Sequence, residues 1–210
     1  MTTAGPRKKP WYLVAALMGA LGLGAGGGCE GQRLVSLYRA EHLDPSAFVQ
    51  KIDSDTDREE VRAALEGYIG ALADGRDRAF PLAVAALLIG FATVLFAMRA
   101  IGGSAGARRG LMQLVVVQAG LVAGTFFIER DVRAASVRLA TSEIRAQAHQ
   151  EMPDAAKAEQ EIRINLTKVR LRDPARLAMS TIGSLLIIFA LTRRGSRAFF
   201  EAAPDAALEQ

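Results

Sequence analysis

Uncharged apolar runs alternate with long polar stretches along this chain of 210 residues. Four runs contain no charged residue, at positions 11–28, 79–98, 111–128 and 177–192. A helix that crosses the hydrocarbon core needs about 20 apolar residues, within a range of roughly 17 to 25. The last run is short, but Arg176 and Arg193 flank it and can lengthen it by reaching towards water. We therefore predict four transmembrane helices.

The polar stretch at 29–78 has the pattern of a helical segment. Asp44-Pro45 favours the start of a short helix, because proline is tolerated in a first helical turn. Thr56-Asp57-Arg58-Glu59 matches a capping box, which marks the start of a longer helix. Apolar residues then recur at helical spacing, and Gly75 is a signal for the end of this helix. The apolar residues of this series are Val61, Leu65, Tyr68, Ile69 and Leu72.

The polar stretch at 129–176 is also predicted to be helical. No helix breaker separates the third apolar run from Glu151, so one helix is expected to continue out of the membrane. Pro153 predicts a turn, after which Ala158, Ile162, Leu166 and Val169 form one face of a further helix. No alternating strand pattern is present. The predicted fold is an all-α membrane protein with four transmembrane helices arranged as two tandem hairpins, each with a helical extramembrane head.

Charge near the span ends predicts the orientation of this arrangement. Three cations and no acid occur in 1–10, and the same is true of 99–110. Basic flanks favour the cytoplasmic side. We expect cytoplasmic termini and extracytoplasmic heads in the cytoplasmic (inner) membrane, although the fourth span has charge on both sides. The predicted segments are a cytoplasmic arm at 1–10, the spans at 11–28, 79–98, 111–128 and 177–192, heads at 29–78 and 129–176, a cytoplasmic loop at 99–110 and a cytoplasmic tail at 193–210.

The two heads differ in net charge. The first carries 7 cations and 11 acids, a net charge of −4, and the second carries 10 cations and 8 acids, a net charge of +2. Opposite charges favour docking of one head on the other. Two independently solvated heads are an equally good reading of the sequence.

Small residues form stripes in three of the predicted spans. Such stripes allow the backbones of membrane helices to approach closely. A packing face within the bundle is favoured over contact between subunits. The predicted packing residues are Ala16, Ala20, Gly24 and Gly28 in span one, Gly120 and Gly124 in span three, and Ser180 and Ser184 in span four.

Three polar residues of the third span, Gln113, Gln118 and Thr125, need hydrogen-bond partners in hydrocarbon. Ser180, Thr181 or Ser184 in the fourth span could supply them. Bonding between helices is favoured over the lining of a substrate path. No charged residue lies inside a span, which argues against a proton relay or ion-coupled transport.

Cys29 is the single cysteine, so an intramolecular disulfide and a multi-thiolate metal site are excluded. It follows a basic arm and an apolar run, the layout of a lipoprotein signal, but Gly26 is a poor match at the position three before the cysteine. The favoured reading is a free cysteine at the membrane surface, and lipidation with loss of the first span is the alternative.

Few other residues of the sequence are candidates for a metal, cofactor or catalytic site. The two histidines, His42 and His149, lie one in each head near Glu41 and Glu151, and we expect no metal site or cofactor. Thiol oxidoreductases need paired cysteines, and zinc and intramembrane serine proteases or haem-binding bundles need histidines that the spans lack. The net charge of +4 and pI of about 9.6 are explained by basic membrane flanks, so no nucleic-acid partner is expected.

These observations predict a membrane protein without enzymatic activity. The leading hypothesis is a scaffold or accessory subunit that acts through its helices and heads. Its expected partners are the lipid bilayer and either another membrane protein or a second copy of the chain. The alternative is a small-molecule channel or transporter that uses Gln113 and Gln118.

Overall fold

The computed structural model of the chain describes residues 9–39, 52, 54–151 and 155–202, and this part is helical without strands. Four of its helices are long and apolar enough to cross a membrane, in agreement with the predicted number. The short helix at Asp44-Pro45, His42 and the turn at Pro153 lie outside the described residues. The helices are α1 (Trp11–Arg39), α2 (Asp55–Ile101), α3 (Ala105–Ile128), α4 (Arg130–Glu151), α5 (Ala155–Thr192) and α6 (Arg194–Ala202).

Helix α2 begins earlier and ends later than the sequence signals predict. Its first turn is capped by Ser54, whose hydroxyl oxygen accepts a hydrogen bond from the Asp57 amide at 3.3 Å, so the predicted cap at Thr56 is wrong. The predicted stop at Gly75 is also wrong, because the helix continues through Gly75 and Pro81 to Ile101. A glycine weakens a helix by only about 1 kcal/mol, which tertiary packing readily offsets.

The connection between α3 and α4 is a single residue, Glu129, in a turn. The Glu129 amide donates to the Thr125 carbonyl at 2.9 Å, and the Arg133 amide donates to the Glu129 carbonyl at 2.8 Å. These bonds have helical spacing. The predicted continuous helix is therefore interrupted at one residue, Glu129, which is in a turn. The backbone hydrogen bonds nevertheless continue across that residue at helical spacing.

The chain divides into two compact units. The apolar unit comprises the described residues of Met1–Arg33, Leu82–Ala123 and Ala178–Gln210, and the polar unit comprises those of Leu34–Pro81 and Gly124–Leu177. Alanine is frequent in the core of the apolar unit, where it allows close helix packing. This core contains Leu13, Leu17, Ala20, Ala97, Ala100, Ala107, Leu111, Val115, Ile187, Leu191 and Phe200.

The polar unit contains residues from both segments that the sequence assigned to heads. The Tyr38 hydroxyl donates to the Glu129 carboxylate at 2.9 Å, and Arg145 pairs with Glu60 at 3.3 Å. Gly75 also lies close to the side chain of Val132. These contacts join the two segments as the docked alternative requires. Apolar residues from both segments, including Val61 and Ala146, are buried within this unit.

Candidate functional site

The backbones of α1 and α2 are in direct contact in the apolar unit. Gly90 lies so near α1 that a Cβ atom on it would stand 2.7 Å from both the Gly24 carbonyl oxygen and the Gly28 Cα. One turn further along α1, a Cβ atom on Gly31 would stand 2.8 Å from the Leu87 Cα. Contacts this short require glycine, so backbone meets backbone over about two turns of each helix.

The residues of the α1 stripe are buried or lie against α2. Ala16 and Ala20 are buried, at 7% and 0% exposure, and Gly24 and Gly28 face Gly90. Gly90 and Gly31 were not selected from the sequence. Gly31 follows Gly28 by three residues and lies beyond the apolar run, whereas Gly90 has small residues at helical spacing, with Ala83 and Ala97 seven residues to either side.

The small residues of α3 and α5 have different surroundings. No other described element lies within 4 Å of a Cβ atom placed on Gly120 or Gly124. Ser180 is partly buried. Ser184 is only 2% exposed, and its hydroxyl has no hydrogen-bond partner among the described residues.

Gln118 links three helices of the apolar unit. Its amide nitrogen donates to the Leu23 carbonyl of α1 at 2.7 Å, and its amide oxygen accepts from the Thr93 hydroxyl of α2 at 3.1 Å. Gln118 and Thr93 are 3% and 0% exposed. The Thr93 hydroxyl also lies 2.7 Å from the Ile89 carbonyl of its own helix. The predicted bonding between helices is present, with partners in α1 and α2 where α5 was expected.

Gly27 makes room for this polar cluster. A Cβ atom on Gly27 would collide with the Gln118 amide nitrogen. The amide therefore reaches an α1 carbonyl only because the adjacent side of that helix has no side chain. A buried amide that bonds through both its donor and its acceptor is strongly constrained in position.

The other polar residues of the third span have no such setting. Gln113 is exposed on α3. Thr125 is partly buried, and its carbonyl accepts the Glu129 amide. The structure thus places the three predicted intramembrane polar residues in three different environments, and only Gln118 joins a buried network.

Cys29 is exposed and free, within an α1 helix that continues on both sides of it. His149, in the polar unit, lies 3.2 Å from the Asp57 carboxylate. Within the part of the chain that the structure describes, no group of His, Cys, Asp and Glu has the arrangement of a metal site. The His149 and Asp57 side chains can form a hydrogen bond or an ion pair with each other.

One titratable group of the polar unit is perturbed by its surroundings. Burial raises the pKa of the Glu143 carboxyl on α4 above its ordinary value. Desolvation disfavours the charged form of a carboxyl group.

Comparisons with protein-family models, with curated proteins and with solved structures find no significant match for this chain.

Proposed function

We propose that this chain is a multi-pass protein of the cytoplasmic membrane that acts without catalysis, as a scaffold or accessory subunit. Its termini and the 99–110 loop would be cytoplasmic, and the heads at 29–78 and 129–176 would be extracytoplasmic. The four apolar helices support membrane insertion, and the basic flanks support this orientation.

The observation that carries the proposal is the hydrogen-bond network around Gln118. A substrate path through the third span would need polar groups free to meet a solute. The Gln118 amide instead uses its oxygen and its nitrogen on Thr93 and on the Leu23 carbonyl. Its described contacts hold helices together, as expected for a structural element.

Exposed apolar residues on the polar unit support contact with a partner protein. Ile164 and Leu171, seven residues apart on α5, are 48% and 59% exposed. A spacing of seven places both on one face of the helix. Exposed basic residues flank them at Arg163, Lys168 and Arg170. This chemistry fits an apolar partner surface with an acidic rim, since charge complementarity selects partners.

Purification from native membranes in a mild detergent tests this proposal. We expect the full chain to elute with a stoichiometric partner or as a dimer, and the I164E/L171E variant to elute as a monomer. The A63E/A73E variant adds the same charge to exposed positions of α2 in the polar unit and should retain the complex. A monomeric wild-type chain would contradict the scaffold proposal.

A channel or transporter remains the second candidate because Ser184 offers a buried hydroxyl without a described partner. Flux of a solute into liposomes that contain the purified chain would favour it, provided that the flux is lost in S184A or Q118L. No flux, together with a stable partner complex, would favour the scaffold.

A further inference from the structure

Three segments of the chain, at 9–10, 99–110 and 193–202, carry seven cations at one end of the apolar unit. The Lys9 ammonium group donates to the Ile101 carbonyl at the end of α2 and lies 5.6 Å from the Phe199 ring of α6. The Arg108 guanidinium of α3 donates to the Leu191 carbonyl of α5 at 3.1 Å. We call this set the basic collar, which consists of Lys9, Arg99, Arg108, Arg109, Arg193, Arg194 and Arg197.

Helix α6 closes this end of the unit with its apolar side. Phe200 is 1% exposed and belongs to the core, and Phe199 packs against it. Ser196 is fully buried, and its hydroxyl donates to the Ala190 carbonyl at 2.7 Å. Arg194 and Arg197 are on the exposed side of the same helix. The predicted cytoplasmic tail at 193–210 therefore begins with an amphipathic helix.

The collar has far more positive than negative charge. Glu201 is the only acid in the described parts of the three segments that carry these cations, at 9–10, 99–110 and 193–202. No described carboxylate forms an ion pair with any of the seven cations. The collar therefore attracts an anion.

Exposed apolar residues adjoin the collar along the helices. Trp11 follows Lys9 and is 80% exposed, and Met98 precedes Arg99 and is 50% exposed. Phe189 is 58% exposed, and the Arg193 guanidinium lies 4.9 Å from its ring. A ligand that covers this surface must have both a negatively charged group and a hydrocarbon part. A nucleic acid would leave the apolar part uncovered, whereas an anionic lipid supplies both groups at the flank of an inserted helix.

We propose that the basic collar binds anionic phospholipids, with the exposed arginines on the lipid phosphates and the acyl chains over Trp11, Met98 and Phe189. This inference rests on the membrane insertion proposed above. Each Lys or Arg near a membrane surface adds to the attraction for anionic lipid, and aromatic residues favour the same interface. The α6 helix would lie in the headgroup layer with Phe199 and Phe200 turned into the bundle.

Binding of lipid by the full chain in an uncharged detergent tests the inference. Native mass spectrometry would count bound phosphatidylglycerol and phosphatidylcholine, and thermal unfolding would measure the stabilisation by each. We expect preferential binding of phosphatidylglycerol, weakened at least about tenfold in R109Q/R194Q/R197Q. These three arginines are exposed, so their replacement leaves the core contacts of Arg108 and Phe200 in place.

The matched control removes three exposed arginines of the polar unit, in R76Q/R138Q/R172Q, and should bind lipid as the wild type does. Equal binding of both lipids, equal loss in both triple variants, or equal stabilisation by inorganic phosphate would overturn the inference. Extraction of membranes with alkaline carbonate separates this failure from that of membrane insertion. A chain released by carbonate was not inserted, whereas a retained chain without lipid preference refutes the collar alone.

Discussion

Single glycines determine how closely α1 and α2 approach. Gly24, Gly28 and Gly31 on α1 meet Gly90, Leu87 and Ala83 on α2, with no room for a Cβ atom on Gly90. Lipid tails provide no hydrophobic drive between helices, so van der Waals contact at this distance is the main attraction. One added methyl group should therefore have a measurable effect.

The G90A substitution is expected to lower the stability of the chain by about 1–3 kcal/mol, because overpacking forces the helices apart. Thermal unfolding in detergent would measure the loss. The control is G120A on α3, where a Cβ atom meets open space. G120A should be neutral or stabilising by up to about 1 kcal/mol, since alanine favours a helix. An equal loss in both variants would refute the close α1–α2 contact.

The Glu143 carboxyl gives stability a pH dependence. Burial raises its pKa, so the folded chain keeps the proton to a higher pH than the unfolded chain does. The folded state binds more protons between the two pKa values, and stability falls as pH rises through that window. E143Q should be more stable than the wild type at neutral pH, and the difference should shrink below the ordinary carboxyl pKa.

Unfolding temperatures across a pH series would test this dependence. The control is E159Q, which changes an exposed glutamate of the polar unit and should leave the wild-type pH profile unchanged. The same profile in E143Q and the wild type would show that Glu143 is not the responsible group.

At the scale of helices, the main departures from the sequence signals concern where α2 begins and ends. Ser54 caps its first turn, and the Arg58 amide donates to the Ser54 carbonyl at 2.9 Å. Thr56 lies within the helix. Ser54 and Thr56 both have a hydroxyl side chain that can cap a helix. Helix ends read from sequence are uncertain by one or two residues, and the path of the chain into the helix determines which of the two residues is the cap.

The cap assignment predicts different effects for two neighbouring substitutions. S54A should destabilise the start of α2 by about 1 kcal/mol, because the Asp57 amide loses its acceptor. T56A should have a smaller effect. Hydrogen exchange in the first turn of α2 would measure both. A larger loss of protection in T56A than in S54A would restore the capping box predicted from the sequence.

For the whole molecule, the continuity of α1 through Cys29 bears on the lipoprotein alternative. Cleavage before Cys29 would remove Leu13, Leu17 and Ala20 from the core of the apolar unit, together with Gly24 and Gly28 at the α2 contact. The rest of the unit would then expose Gly90 and the Gln118 amide. A retained first helix is the reading that the packing supports.

Intact-mass spectrometry of the chain purified from membranes should accordingly give a mass that includes the residues before Cys29 and no lipid on its thiol. A C29S variant should accumulate and unfold as the wild type does, because the side chain is exposed and free. A mass that begins at a lipid-modified Cys29 would overturn this prediction.

Hydropathy and periodicity alone determined the helical class and the four apolar helices. An uncharged run of this length has few alternatives to a helix, since its backbone groups must bond within the segment. The small-residue stripe of α1 could also be identified from the sequence, because its residues recur at the spacing of a helix face. The local sequence carries all of this information.

The tertiary structure decided which groups meet. The contact of Gly90 with Gly24 and Gly28 forms only in the folded chain, Thr93 and the Leu23 carbonyl become the partners of Gln118 only through packing, and α6 is held by Phe200 in the core. The sequence predicts a helix end at Gly75, because glycine disfavours a helix. Helix α2 nevertheless continues through this residue. Contacts between residues far apart in the sequence outweigh helix propensities of about 1 kcal/mol per residue. Such contacts cannot be identified from the sequence next to each residue.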